Sequence, residues 1–103
     1  MKPKQALLLE FYSPMCGHCT HFAPSYAQIA QQLGKNGDAV AARMDLYHYE
    51  LPKSAKDAGF EIAGFPTLIL VRPTKKNLKL IAYPHWRRNV ESILAWVKEE
   101  VAK

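Results

Sequence analysis

Apolar residues run almost unbroken from Ala6 to Tyr12, interrupted only by Glu10, and this run predicts a central β-strand buried on both faces. Ser13-Pro14 then punctuates the chain, and a helix is expected to open near Cys16 and Cys19. Its apolar positions Phe22, Tyr26, Ile29, Ala30 and Leu33 recur at helical spacing, and Gly34 reads as its stop. Pro24 inside this helix is expected to kink it, because proline offers no N–H to the preceding turn. Residues 39–44 read as a second strand ending at Asp45, followed by an irregular aromatic segment over residues 46–50. Pro52 suits the first turn of a short helix reaching about Ala58. Residues 67–71 and Leu78–Ala82 read as a hairpin turning over residues 72–77. Asn89 is placed to cap a last helix whose inward face is Val90, Ile93, Leu94, Val97 and Val101. The order is β-α-β-α-β-β-α, an α/β architecture. Alternation in the first half implies a parallel pair, the hairpin adds antiparallel strands, and helices flank a mixed sheet.

At 103 residues this is material for a single domain spanning 1–103, large enough to bury a core without disulfide staples. The longest apolar runs are far too short to cross a bilayer, so no membrane span is expected. The start, Met1-Lys2-Pro3-Lys4-Gln5, leads straight into the strand run without the layout of a signal peptide, and the C-terminus carries no retention or lipidation signal. The chain is read as an excised piece or as one that works where it is made. Lys and Arg outnumber Asp and Glu by 14 to 9. No acid occurs between Glu61 and Glu91, a stretch holding Arg72, Lys75, Lys76, Lys79, Arg87 and Arg88. Such a stretch can attract an anion. A solvated basic surface is the plainer reading, and without interleaved aromatics on a recognisable surface no nucleic-acid partner is expected.

The chemistry lies in the cysteines. A bridge between Cys16 and Cys19 would close too small a loop to stabilise the chain much, so its purpose is chemical. A Cys-x-x-Cys pair can bind zinc or exchange disulfides; one that follows a buried strand and opens a helix favours redox chemistry. The helix N-terminus stabilises a thiolate at the first cysteine, and the second, a turn further in, can attack a mixed disulfide and release its partner. Cys16 is therefore read as the nucleophile and Cys19 as the resolving thiol, with Gly17 and His18 between them. A protonated or hydrogen-bonding His18 would favour the thiolate and make the disulfide a stronger oxidant. Zinc would need His21, His48 or His85 to complete four ligands, and no second pair at finger-like spacing exists, so no metal or cofactor is expected. Glu10, in the middle of the apolar strand, has two readings. Buried, its carboxyl pKa rises and it can take the Cys19 proton; on a twisted strand it simply faces solvent.

The segment Leu8-Leu9-Glu10-Phe11-Tyr12-Ser13-Pro14-Met15-Cys16-Gly17-His18-Cys19, with Phe22-Ala23-Pro24, Arg43-Met44-Asp45 and Gly64-Phe65-Pro66-Thr67, resembles the thioredoxin-fold catalytic domains of protein disulfide isomerases. The resemblance covers the chain from Ala6 onward and implies a thiol-disulfide oxidoreductase and isomerase acting on protein disulfides. It implies a cis Pro66 facing Cys16, with the Phe65 backbone pairing an extended substrate and Met15 beside it. It makes Glu10 the buried acid that assists Cys19 and Arg43 the base that pairs with that acid. It also implies an arginine before the last helix that lowers the pKa of the second cysteine; counting back from Ile93 gives Arg88, counting from Tyr83 gives Arg87. Where reductive thioredoxins carry proline, this chain has His18, which implies an oxidant. The partners implied are protein clients bearing thiols or disulfides, glutathione or an upstream sulfhydryl oxidase, and neighbouring domains, in the endoplasmic reticulum lumen or another secretory compartment. A client-binding module with little turnover and a reductase are the alternatives. The chain departs from the family at Met15, where Trp is usual, in a longer stretch over residues 46–59 with Tyr47, His48 and Tyr49, and in lacking the family's first strand and helix. That last departure leaves the strand over residues 39–44 as an open edge.

Overall fold

The computed structural model describes residues 5–57, 62, 64–85 and 87–103. In chain order the elements are β1 (Ala6–Tyr12), α1 (Gly17–Asn36), β2 (Ala39–Asp45), α2 (Lys53–Asp57), β3 (Thr67–Pro73), β4 (Leu78–Ala82) and α3 (Val90–Val101). The sheet runs β2-β1-β3-β4, with β1 parallel to β2 and antiparallel to β3, and β3 antiparallel to β4. The expected end of α2 near Ala58 lies outside the described residues.

Strand alternation sorts β1 into two faces. Ala6 and Leu8 join Leu68 and Leu70 of β3 in one core with Phe22, Tyr26, Ile29 and Leu33 of α1 and Ile93, Trp96 and Val97 of α3. Each fully buried side chain of this size contributes about 1.5–3 kcal/mol of gross hydrophobic free energy. By the same period Glu10 points toward the helix that carries both cysteines. The opposite face buries Phe11 and Ile69 but leaves Leu7 and Leu9 half-buried, so burial on both faces is complete only toward the C-terminal end of β1.

Helix α1 runs past its expected stop. It continues through Pro24, whose missing N–H falls at an exposed position. It also continues past Gly34, which lies within the helix and is open to solvent. The stop is Gly37, whose φ of 73° is the left-handed conformation and whose N–H donates to the Leu33 carbonyl at 2.9 Å. The residue that ends the helix is the one whose backbone must turn left-handed. At the other end of the chain, Asn89 caps α3 by accepting from the Ser92 N–H at 2.8 Å. Asn89→Ala is expected to lower stability by about 1 kcal/mol. Chemical denaturation should register this as a lower midpoint with an unchanged slope.

Candidate active site

The C-terminal end of β1 and the first turn of α1 build the site. Between them, the Cys16 N–H donates to the Ser13 carbonyl at 3.0 Å and the Met15 N–H to Ser13 Oγ at 3.2 Å. Ser13 is itself buried, so this short turn is fixed from within. Cys16 takes the N-cap position of α1 with extended backbone (φ −95°, ψ 120°), and no side-chain cap is present. Its carbonyl accepts the Thr20 N–H at 3.1 Å, the first bond of the helix. The N–H groups that a Ser or Asp cap would occupy therefore point at sulfur.

The two thiols are free, and their environments differ. The Cys19 N–H acting on Cys16 Sγ is the largest influence holding that thiol below its ordinary pKa, with smaller contributions from the Cys19 thiol, the His18 N–H and the charge of Arg88. Cys19 is 1% exposed, and burial pushes its pKa up. The neighbouring Cys16 and Glu10 charges push the same way, while a main-chain contact with Ser13 opposes them. One thiol is poised to ionise and the other to keep its proton.

Glu10 is completely buried. Across the β1–β2 pair it stands opposite Arg43, whose Nε donates to Oε1 at 2.7 Å. Burial raises the Glu10 pKa, and the hydrogen bond and charge of Arg43 only partly offset it. Oε2 has no hydrogen-bond partner among the described residues. Tyr26 of α1 closes the region from the side, its hydroxyl reaching the Ala42 carbonyl at 2.7 Å and the Leu8 carbonyl at 3.0 Å. The solvent-facing reading of Glu10 is excluded.

On the other side of Cys16, the Phe65–Pro66 peptide is cis, and Cys16 Sγ lies 3.8 Å from the Phe65 carbonyl oxygen as its donor. Pro66 is buried, whereas Met15 is 72% exposed beside the site. Gly17 and His18 are exposed on the first turn of α1. Of the two arginines before α3, the charge of Arg88 reaches Cys16 and favours its thiolate. The Arg87 carbonyl accepts the Tyr83 hydroxyl at 2.6 Å. The Cys19 pKa is raised in this conformation.

Three contributors are hard to see in the sequence. Ser13 looks like punctuation, though a Ser-Pro pair before a helix is the local signal for such a turn. Tyr26 falls at an apolar position of α1, and only its hydroxyl hints at the two carbonyls it serves. Tyr12 stacks under the Arg43 guanidinium at 3.9 Å from ring centroid to Cζ, and nothing in its strand position gives that away.

The profile of the thioredoxin family matches residues 1–99. The chain belongs to the thioredoxin family. This thioredoxin domain is 38% identical over 97 residues to a wheat (Triticum aestivum) protein disulfide-isomerase, covering 92% of the chain and 18% of that protein. It is 36% identical over 103 residues to the bovine (Bos taurus) protein disulfide-isomerase A4, covering all of the chain and 15% of that protein. The chain therefore spans under a fifth of the length of these relatives. The solution structure of the first thioredoxin domain of mouse protein disulfide-isomerase A4 superposes with a TM-score of 0.73 at 35% identity, over 96% of this chain and 65% of that one. The crystal structure of the Trx4 domain of ERdj5 superposes with a TM-score of 0.76 at 25% identity, over 95% and 81%. The mixed four-stranded sheet with its flanking helices is the thioredoxin fold. Among the described residues no helix is long and apolar enough to cross a membrane.

Proposed function

We propose that this thioredoxin domain exchanges disulfides in protein clients by the two-thiol route, working as an oxidant and isomerase in a secretory compartment. The observation that carries the reading is the opposite bias of the two thiols: Cys16 toward thiolate at the helix N-terminus, Cys19 toward thiol beside buried Glu10. In the reducing direction the Cys16 thiolate attacks a client disulfide, forming a Cys16–client bond and expelling one client thiolate. Cys19 then gives its proton to the Glu10 carboxylate and attacks Cys16 Sγ. The Cys16–Cys19 disulfide forms, the second client thiolate leaves, and that thiolate takes up the proton. The two electrons gained by the client are those lost by the dithiol. Run backward, the same steps oxidise a client dithiol; stopped at the mixed disulfide, they permit isomerisation.

His18 and the relatives' names support the oxidising direction. The N–H groups of His18 and Cys19 and the charge of Arg88 all favour the reduced, thiolate-bearing state, which makes the disulfide easier to reduce and so a better oxidant. Glutathione or a sulfhydryl oxidase would reload the pair, and neighbouring domains would share the work of holding clients. Beside Phe65 lies a groove of about 450 Å³ lined by Leu46, Tyr47, Tyr49, Leu51 and Ile62 together with His48, Glu50 and Lys56, suited to a client segment of mixed character. The alternative, a client-binding module with little turnover, would use the same groove.

The equilibrium potential of Cys16–Cys19 in glutathione buffers, read by thiol alkylation and mass shift, separates these readings. A reversible two-electron transition near about −180 mV is expected, the isomerase range. A value near about −270 mV, roughly 4 kcal/mol away, would make the domain a reductase. Absence of a reversible transition would leave only the binding module.

A further inference from the structure

Arg43 reaches Glu10 from the edge strand β2, and its side chain is 39% exposed. A long cation so placed is drawn toward water, and a strand position alone does not hold its guanidinium against a buried carboxylate. The restraint is Tyr12. Glu10 and Tyr12 lie two residues apart on β1 and so point to the same face, opposite Arg43 and Asp45 of β2. The Arg43 guanidinium lies over the Tyr12 ring, 3.9 Å from Cζ to centroid, while Nε keeps its 2.7 Å bond to Glu10 Oε1. Face on the ring and edge on the carboxylate use both recognition surfaces of the guanidinium at once. The same two residues, with Ser13, Ala23 and Cys19, line an open cleft of about 260 Å³, which places the stacked pair beside the buried resolving thiol.

We propose that Tyr12 is a positioning residue: by stacking on Arg43 it holds the guanidinium against Glu10 and so sets how readily Glu10 takes and returns the Cys19 proton. This rests on the thiol-disulfide reading above. The groups that face Glu10 are Arg43 from β2 and Cys19 and Tyr26 from α1; its partner across β3 is the apolar Leu68. Among the described residues Arg43 is the cation of this group, and its hydrogen bond and charge hold the carboxyl pKa down against burial. Loosening it moves the carboxyl further toward its protonated form, which cannot accept the proton of Cys19.

The test is the pH profile of the resolving step, followed in the full chain as release of a fluorescent client peptide from a preformed mixed disulfide with Cys16. Tyr12→Met, which keeps bulk without a ring, should slow release about 3–5-fold at neutral pH, the worth of a partly exposed cation–π contact, and shift the profile's midpoint upward by about half a unit. Tyr12→Phe keeps the ring and should restore both. Arg43→Leu should shift the midpoint the same way and add little in the Tyr12→Met background, since the two act through one interaction. A merely structural role for Tyr12 would lower the rate at every pH without moving the midpoint. Should Tyr12→Met not fold, Tyr12→Leu and the Arg43→Leu single variant carry the comparison. An unmoved midpoint without the ring, or an equal movement in Tyr12→Phe, overturns the proposal. A wild-type chain that cannot release the peptide at any pH overturns the thiol-disulfide reading, and this proposal with it.

Discussion

Cys16→Ser is expected to abolish disulfide exchange, while Cys19→Ser is expected to leave the first step intact and trap clients. The difference follows from the two environments. At the N-cap of α1, the main-chain N–H groups and the charge of Arg88 stabilise a thiolate at Cys16. A serine hydroxyl there does not ionise in the working range. Loss of the nucleophile should cost at least about 1,000-fold in turnover. Cys19 is sealed beneath it and does not meet the client. Without its sulfur the Cys16–client disulfide forms and persists, because the attack that resolves it has no attacking group. Non-reducing electrophoresis of each variant mixed with a scrambled disulfide protein reads both outcomes: mixed-disulfide bands accumulate for Cys19→Ser and are absent for Cys16→Ser. Equal accumulation in the two variants would reverse the assigned roles.

Glu10→Gln is expected to give a domain that is more stable and less active. Burial of the carboxyl outweighs the help of Arg43 and raises its pKa, and Oε2 has no hydrogen-bond partner among the described residues. A raised carboxyl pKa means that the folded state disfavours the charged form. Between the unfolded and folded pKa values the folded chain binds more proton than the unfolded one, so stability falls as pH rises through that window. The penalty is absent below the unfolded pKa and fully present above the folded one. Glutamine removes it, leaving Arg43 stacked on Tyr12 and partly hydrated. A gain of about 1–2 kcal/mol at pH 8, or a Tm rise of roughly 5–10 °C, is expected, shrinking toward zero near pH 4. Resolution of mixed disulfides should slow at the same time, since glutamine accepts no proton from Cys19. Differential scanning at the two pH values, paired with a resolving-rate measurement, checks both halves. A variant destabilised at pH 8, and less so near pH 4, would mean that the Arg43 pair, and not desolvation, governs this site.

How much of this the sequence disclosed depended on whether the signal was local. The strand-Cys-x-x-Cys-helix context is local, and it carried the fold and the placing of both cysteines at the start of α1. Asn89 and the hairpin were equally plain. Gly34 against Gly37 was decided by a backbone angle, which composition does not reveal: both are glycines near a helix end, and only one adopts the left-handed φ. Glu10 stayed open from the residues alone because strand twist decides whether a polar position faces in. The parallel register that sets it opposite Arg43 is a long-range fact. Arg87 and Arg88 could not be separated by counting, since the described residues between β4 and α3 form no regular element from which to count. The Tyr12–Arg43 stack was the least legible, because it depends on how one side chain bends after β1 and β2 have paired.

The contact between Cys16 Sγ and the Phe65 carbonyl ties the Cys16 proton to the acceptor beside it. While Cys16 is protonated, that oxygen accepts from its thiol. As a thiolate, or in a disulfide, Cys16 has no hydrogen to give, and the oxygen is open to an amide from an extended visitor. The same loss of a proton that makes the sulfur a nucleophile therefore frees the acceptor next to it, so readiness to attack and room for an incoming strand arrive together.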